Sequence, residues 1–464
     1  MTPHKLFSLL LLTLLLVFLV PQPAAAQGSG PVYIVQPGDT LWGIAKRFNI
    51  PLSELMRANG LTENHTLFPG QRLILPGFEG VSGILTTEVV GLGDTLRSLA
   101  RRHQTPLPLL QRLNRLTSPS QLYVGANVIV PRPDSGAPLT STVTLAPNET
   151  LLELAVQLNS DVWTLATLNH LTGSWLALPG DPLYALGQTD DRAGGLPPAL
   201  LHAQIKTLPL KQGGTAILLV KTAPQVTLSG MLVDRPLRFF QTGQDQWVAL
   251  QGIHALLEPG IYPIRLDAIL PDGSRQSYEQ MVLVVSGNYP TTSLYVNQAT
   301  LDPALNEAES QRILEVVSPV TPQKYWQEPF RLPVDSQYCI KDWFGVRRSY
   351  NNGLYTSFHG GVDYGICSEK HPYDIYAPAP GVVVFADRLA IRGGATVIDH
   401  GWGIYGGFWH QEEIYVSVGE QVSAGQRIGK IGGTGRVTGP HLHWELWVNG
   451  VQVDPLDWLN VSIP

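Results

Sequence analysis

The chain has 464 residues, 44% of them apolar and only 15% charged, so it is too long for one ordinary domain and apolar enough to fill several cores. Its 37 acidic and 31 basic residues are well mixed and leave a net charge of −6. No long basic run occurs, which argues against nucleic acid as a partner.

The first residues read as an export signal. Met1 to Lys5 carries positive charge, Leu6 to Val20 is almost wholly apolar, and Ala24-Ala25-Ala26 offers the small residues a signal peptidase needs. A secretory signal peptide is therefore expected over residues 1–26. The competing reading is a membrane anchor, but the apolar run stops at Pro21, short of the ~20 residues a bilayer requires. No cysteine lies near the cleavage point, which excludes a bacterial lipoprotein anchor, and no later segment is apolar for long enough to span. The mature protein is expected to be exported without a membrane span, and to be extracellular, cell-wall associated or periplasmic. Nothing in the sequence specifies an oligomeric state.

Three repeats follow. Gly38-Asp39-Thr40-Leu41 recurs as Gly93-Asp94-Thr95-Leu96 and, altered, as Asn148-Glu149-Thr150-Leu151, each step being 55 residues. The same step links Ala45, Ala100 and Ala155; Asn59, Asn114 and Asn169; Leu61, Leu116 and Leu171; and Gly70, Gly125 and Gly180. In the first repeat Val32 to Val35 reads as a strand, and Asp39 as a helix N-cap. Leu41, Ile44, Ala45 and Phe48 form one buried helical face. Pro51 suits the first turn of a second helix with Leu52, Leu55 and Met56 inward, and Pro69-Gly70 turns the chain into a strand at Arg72 to Leu75. The unit is thus β-α-α-β.

The run Tyr33-Ile34-Val35-Gln36-Pro37-Gly38-Asp39-Thr40-Leu41-Trp42-Gly43-Ile44-Ala45, with Asn59-Gly60-Leu61 and Pro69-Gly70-Gln71, resembles the LysM module. The second repeat also matches; the third lacks the Gly-Asp start. The resemblance implies binding of N-acetylglucosamine-containing glycans such as peptidoglycan or chitin. The groove would lie between the first strand-helix loop and the loop after the second helix. The positions it implies are Gly38, Asp39, Thr40, Asn59 and Leu61, and Gly93, Asp94, Thr95, Asn114 and Leu116. Asp39 capping a helix and Asn59 tying down a loop is the structural alternative at these sites.

From 200 to 288 strand patterns at 216–220, 238–240, 247–250, 262–266 and 281–285, separated by Gly-rich and Pro-Asp-Gly turns, predict a β-sandwich spacer. Residues 289–335 read as a connector with a short helix around Glu307 to Val316.

The chemistry lies in the last part. His441 and His443 are alternate residues, so on a strand they share a face while Leu442 and Trp444 pack on the other. Together with His359 and Asp363 they offer two histidines and a carboxylate for a catalytic zinc that keeps one position for water, plus a further imidazole to move a proton.

The surrounding text resembles the lysostaphin-type zinc metallopeptidases. It runs through Phe344-Gly345-Val346-Arg347, Phe358-His359-Gly360-Gly361-Val362-Asp363, Ile375-Tyr376-Ala377-Pro378 and Val397-Ile398-Asp399-His400-Gly401. It continues with Val418-Gly419-Glu420-Gln421-Val422 and Gly439-Pro440-His441-Leu442-His443-Trp444-Glu445. The resemblance implies His359, Asp363 and His443 as Zn2+ ligands. It implies His441 and His410 as the two further active-site histidines, one the general base and one steadying the oxyanion, with His441 favoured as base. The family's usual Tyr-x-His-Leu is here Phe408-Trp409-His410-Gln411, which puts substrate contacts of the missing hydroxyl in doubt. His400 and His371 receive structural readings. Cys339 and Cys367 either form one disulfide or remain two buried thiols; no CxxC spacing supports a cysteine zinc site.

The expected architecture is multidomain. Three small β-α-α-β LysM modules (31–77, 86–132 and a degenerate 141–187) precede the β-sandwich (200–288), the connector and an antiparallel all-β metallopeptidase domain (336–460). The expected function is an exported zinc metalloendopeptidase that binds cell-wall glycan and cuts peptide cross-links of peptidoglycan. The alternatives are a catalytically inactive wall-binding regulator of amidases and a pure adhesin; the intact ligand set disfavours both.

Overall fold

The computed structural model describes residues 30–62, 65–78, 80–132, 142–146, 148–185, 195–335, 339–365 and 373–463. The expected signal peptide (1–26), Cys367 with the question of its pairing to Cys339, and His371 lie outside these residues. The chain divides into two compact units, one taking in residues up to 88 and those from 129 to 138, the other 89–128 with 139–464.

In the first unit β1 (Val32–Ile34) is followed by α1 (Leu41–Phe48), α2 (Leu52–Asn59) and β2 (Arg72–Ile74), with β1 antiparallel to β2. Strands β3 (Ile84–Val89) and β4 (Asn127–Arg132) extend the sheet in the order β2-β1-β3-β4. Leu41, Ile44, Ala45 and Phe48 are buried, as the helical spacing predicts. The cap differs from expectation. Thr40, not Asp39, is the N-cap of α1, its hydroxyl accepting the Gly43 N–H at 3.0 Å. The Asp39 carboxylate is already engaged by the Gln36 N–H, the Tyr33 hydroxyl and the Arg47 guanidinium, which turn it away from the helix end. Asn59 clamps α2 to β2: its amide donates to the Leu55 and Ile74 carbonyls, and its oxygen accepts from the Ile74 N–H.

In the second unit the second repeat contributes α3 (Leu96–Arg102) and α4 (Leu107–Leu113), with Thr95 and Ser98 forming a reciprocal capping box. The third repeat has β5 (Thr142–Thr144), α5 (Leu151–Gln157), α6 (Val162–Leu168) and β6 (Pro182–Tyr184), and β5 pairs antiparallel with β6. Asn169 repeats the Asn59 clamp on Leu165 and Tyr184.

Nine strands follow: β7 (Leu200–Ile205), β8 (Leu210–Lys211), β9 (Thr215–Thr222), β10 (Thr227–Leu232), β11 (Arg235–Pro236), β12 (Phe239–Gly243), β13 (Gln246–Gly252), β14 (Gly260–Ile269) and β15 (Arg275–Val285). They form two sheets, β11-β10-β14-β15-β8 and β12-β13-β9-β7. Leu218 and Val220 of one sheet share a core with Leu232, Leu266 and Val282 of the other. Strands β7, β8, β10 and β11 go beyond those read from the sequence; β10 hides its alternation behind Ser229 and Gly230.

The connector is not free of the last region. β16 (Thr291–Leu294) pairs with β18 (Arg347–Tyr350), and α7 (Pro303–Val317) buries Ile313 and Val317 against Phe385, Tyr405 and Trp409. The remaining strands are β17 (Cys339–Asp342), β19 (Tyr355–Phe358), β20 (Gly361–Gly365), β21 (Asp374–Tyr376), β22 (Gly381–Leu389), β23 (Gly393–Gly401), β24 (Ile404–Ile414), β25 (Gln421–Val422), β26 (Arg427–Ile431), β27 (His441–Val448) and β28 (Val451–Val453). The main sheet runs β17-β20-β27-β24-β23-β22-β25. Val362, Ile398, Phe408, Leu442 and Trp444 fill its core, so the alternate residues of β20 and β27 face the other way.

Candidate active site

Register brings the chemistry together. β20 and β27 are antiparallel with Asp363 opposite His443, and Gly361 opposite Glu445. A side chain at Gly361 would run into the Trp444 carbonyl, so glycine there lets the two strands close on each other. His359, just before β20, completes a buried cluster with Asp363 and His443 in which the candidate ligand atoms all lie within 4.8 Å of one another.

The donor atoms can be assigned. His359 Nδ1 lies 2.8 Å from the Trp343 carbonyl, which can only accept, so Nδ1 carries the proton and Nε2 keeps its lone pair. His443 Nε2 lies 3.1 Å from Glu445 Oε1, which likewise leaves Nδ1 for the cluster. His359 Nε2, His443 Nδ1 and Asp363 Oδ1 then form a triangle with edges of 2.8, 2.9 and 2.7 Å. These edges are shorter than twice a zinc–ligand bond of ~2.0–2.1 Å, so one ion can touch all three. Two neutral imidazoles and a carboxylate are a donor set that would hold a catalytic zinc and leave a position for water. The other carboxylate oxygen of Asp363 accepts from Arg348 at 3.2 Å, and Arg348 is also paired with Asp342 at 2.6 Å. Burial raises the carboxyl pKa of Asp363, but the two histidines beside it outweigh that and hold it well below the usual range. Glu445 is fully buried, yet His443 and Arg392 hold it down at about 2.

His441 and His410 border the same space, their ring centroids 4.8 Å apart. His441 Nδ1 faces the Gly439 carbonyl at 2.8 Å and its Nε2 stands 3.7 Å from Asp363 Oδ1. His410 Nδ1 faces the Thr434 carbonyl at 2.8 Å. In both rings Nδ1 is therefore the donor and Nε2 the open atom. Burial, with His441 and His443 as neighbours, pushes the His410 pKa down to about 3.

The altered text around His410 has a physical account. Phe408 is core, and Gln411 is buried with its amide bonded to Thr396 Oγ1 and the Phe408 carbonyl. Between them the ladder with β23 shifts register, and His410 adopts φ 65°. This bulge re-aims the imidazole into the cleft. The His410 N–H donates to the Arg392 carbonyl, and Glu309 of α7 accepts from the N–H groups of Ile391 and Arg392 and from the Arg392 guanidinium. The cleft has a volume of about 610 Å³; Thr292, Asn306 and Ser310 from β16 and α7 line one side, with Arg348 and Arg436 among the rest. Arg348, Asp342, Glu445 and Glu309 were not singled out from sequence. Only Glu445, two residues beyond His443 on one strand face, carried a signal. His400 lies apart, fully buried against Phe330 with Nδ1 on the Pro380 carbonyl, and burial pushes it down to about 4.

The expected glycan positions differ between repeats. Gly38 and Thr40 are exposed and Asp39 half-buried, whereas Gly93 and Asp94 are buried. Asn59, Leu61, Thr95, Asn114 and Leu116 are half-buried. The Asn59 amide is spent inside its repeat, so its side chain has little left to offer a ligand.

Residues 357–455 match the model of Peptidase family M23, and residues 33–76 and 89–131 match the LysM domain. The chain therefore carries LysM domains ahead of a C-terminal M23 domain. It is 38% identical over 134 residues to peptidoglycan DD-endopeptidase ShyA of Vibrio cholerae serotype O1, covering 29% of this chain and 30% of that one. It is 36% identical over 106 residues to DD-carboxypeptidase/endopeptidase Mpg of Neisseria meningitidis serogroup B, covering 23% of each. The chain thus spans less than a third of the length of these curated relatives. A solved structure of a putative peptidase M23 from Pseudomonas aeruginosa is 24% identical, and the match covers 55% of this chain and 96% of that one at a TM-score of 0.40.

Proposed function

We propose that this chain is an exported zinc metalloendopeptidase that captures cell-wall glycan through its LysM repeats and hydrolyses peptide cross-links of peptidoglycan. The observation that carries this reading is the His359–Asp363–His443 triangle on the floor of a cleft that two further imidazoles border. Zinc held by these three residues would polarise a peptide carbonyl and lower the pKa of a bound water to ~7.

The protein's own groups do the rest. Trp343, Glu445 and Arg348 fix the faces that the three ligands present. His441 is assigned as general base: its Nδ1–H is tied to Gly439, so the open Nε2 takes a proton from water in the cleft and passes it to the leaving amine. His410, held by the bulge and by Thr434, is assigned to the charge that develops on the carbonyl oxygen. Residues 141–187 are assigned as a third LysM module, the two-sheet region 200–288 as a spacer, and residues 1–26 as the signal that delivers the enzyme to the wall. Tethering to an insoluble polymer raises the local concentration of cross-links at the cleft.

The test is digestion of purified sacculi followed by mass spectrometry of the muropeptides, with zinc measured on the same sample. One zinc per chain and loss of cross-linked dimers are expected, both abolished in His443→Ala. A zinc-loaded wild type that leaves every dimer intact overturns the enzyme in favour of the inactive regulator.

A further inference from the structure

The three repeats share a pattern but differ at two positions. Repeats one and three carry Pro37 and Pro147 before the first loop, and Pro69 and Pro179 after the second helix. Repeat two has Leu92 and Val124 at these places. Leu92 is 3% exposed and Val124 0%, and both belong to the hydrophobic core of the two-sheet region rather than to a surface. Pro37, Pro69 and Pro179 are exposed.

The replacement also supplies a backbone donor that proline lacks. The Val124 N–H donates to the Met281 carbonyl at 2.9 Å, and the Leu283 N–H donates to the Val124 carbonyl at 2.8 Å. These bonds lie along β15, which pairs with β14 on one side and meets β8 only at Val284 and Val285 on the other. Repeat two covers the stretch that would otherwise be an open edge. On the opposite wall of the same groove, the Gln280 side chain accepts from the Gly93 N–H at 3.0 Å and donates to the Asp94 carbonyl at 3.2 Å. Gly195 adds a bond to the Gly93 carbonyl.

We propose that the glycan face of repeat two is permanently occupied by the strand Gln280–Leu283 of the same chain, so that this repeat is a joint and glycan capture falls to the faces left open, first that of repeat one. The proposal rests on the glycan reading above and names which module carries it. Both walls are engaged by one peptide strand, through the Val124 N–H and carbonyl on one side and the Gly93 N–H and Asp94 carbonyl on the other.

The test is hydrogen–deuterium exchange on the full chain with and without an N-acetylglucosamine hexamer. Protection is expected at residues 37–42 and 66–70, and none at 92–97 or 122–126. Val124→Pro restores the residue of the other repeats and removes the donor; Gln280→Ala opens the other wall without changing a residue of repeat two. Each is expected to speed exchange at 280–284 at least about fivefold, and the pair to create new sugar protection at 92–97. Sugar protection of repeat two in the wild type overturns the proposal, and so does unchanged exchange at 280–284 in both variants. If no repeat is protected, the glycan reading fails, and the joint stands or falls on the exchange at 280–284.

Discussion

The cleft and the repeats use the same kinds of residue in opposite ways. In the cleft His359, Asp363 and His443 are buried and each is held by a second group: Trp343 behind His359, Glu445 behind His443, Arg348 behind Asp363. In the repeats the polar residues that recur at the fixed step are spent on the module itself, Asp39 on Arg47 and Asn59 on β2, and what differs between modules is the surface around them. The cleft shows that a reactive side chain needs a dedicated support. The repeats show that a repeated motif reports a fold, while its neighbours decide what the fold does.

The largest expected effect breaks the cleft alone. His359→Ala or Asp363→Ala should lower muropeptide release at least about ten-thousandfold with loss of the zinc, while binding to sacculi persists. A sedimentation assay beside the cleavage assay checks both halves. His441→Ala and His410→Ala should each cost roughly 10²–10⁴-fold in turnover while zinc stays bound, since general acid–base groups contribute on that order. Loss of zinc in either variant would move that histidine from the chemistry to the metal.

Acid should separate the two regions further. His400 is buried and its pKa is depressed from 6.5 to about 4, so the folded state binds its proton less readily than the unfolded chain. Above pH 6.5 the ring is neutral in both states and contributes nothing. As pH falls from 6.5 towards 4, the C-terminal region should lose up to about 3 kcal/mol, with no further loss from this group below that. Denaturant titrations at pH 7 and pH 4.5 read this loss, and His400→Gln should flatten it. Supports of the ligands come next: Arg348→Ala and Glu445→Gln should weaken zinc affinity about 10–100-fold by competition with a chelator, leaving the repeats untouched. The smallest effect sharpens the other side. Asn59→Ala should destabilise repeat one by about 1–3 kcal/mol, read as faster exchange in α2 and β2, because it strands buried backbone groups. Cleavage of soluble muropeptides should not change.

Much was legible in advance because it was local. The helical face of Leu41, Ile44, Ala45 and Phe48 follows from spacing, and the shared face of His441 and His443 from strand alternation. Thr40 rather than Asp39 caps the first helix, because capping propensity does not register that Tyr33 and Arg47 compete for the Asp39 carboxylate. Glu309 left no trace in the text either, since its partners Ile391 and Arg392 lie far along the chain.

The sequence by itself determined the repeat, its period, and the residue types able to hold a metal, since these are patterns of neighbours along the chain. Only the tertiary structure decided which donor atom each histidine turns inward, and how a bulge between Phe408 and Gln411 delivers His410 to the cleft. It alone also decided that Leu92 and Val124 seat repeat two on β15. Those outcomes depend on contacts between distant segments, where packing and hydrogen-bond satisfaction, not local propensity, set the result.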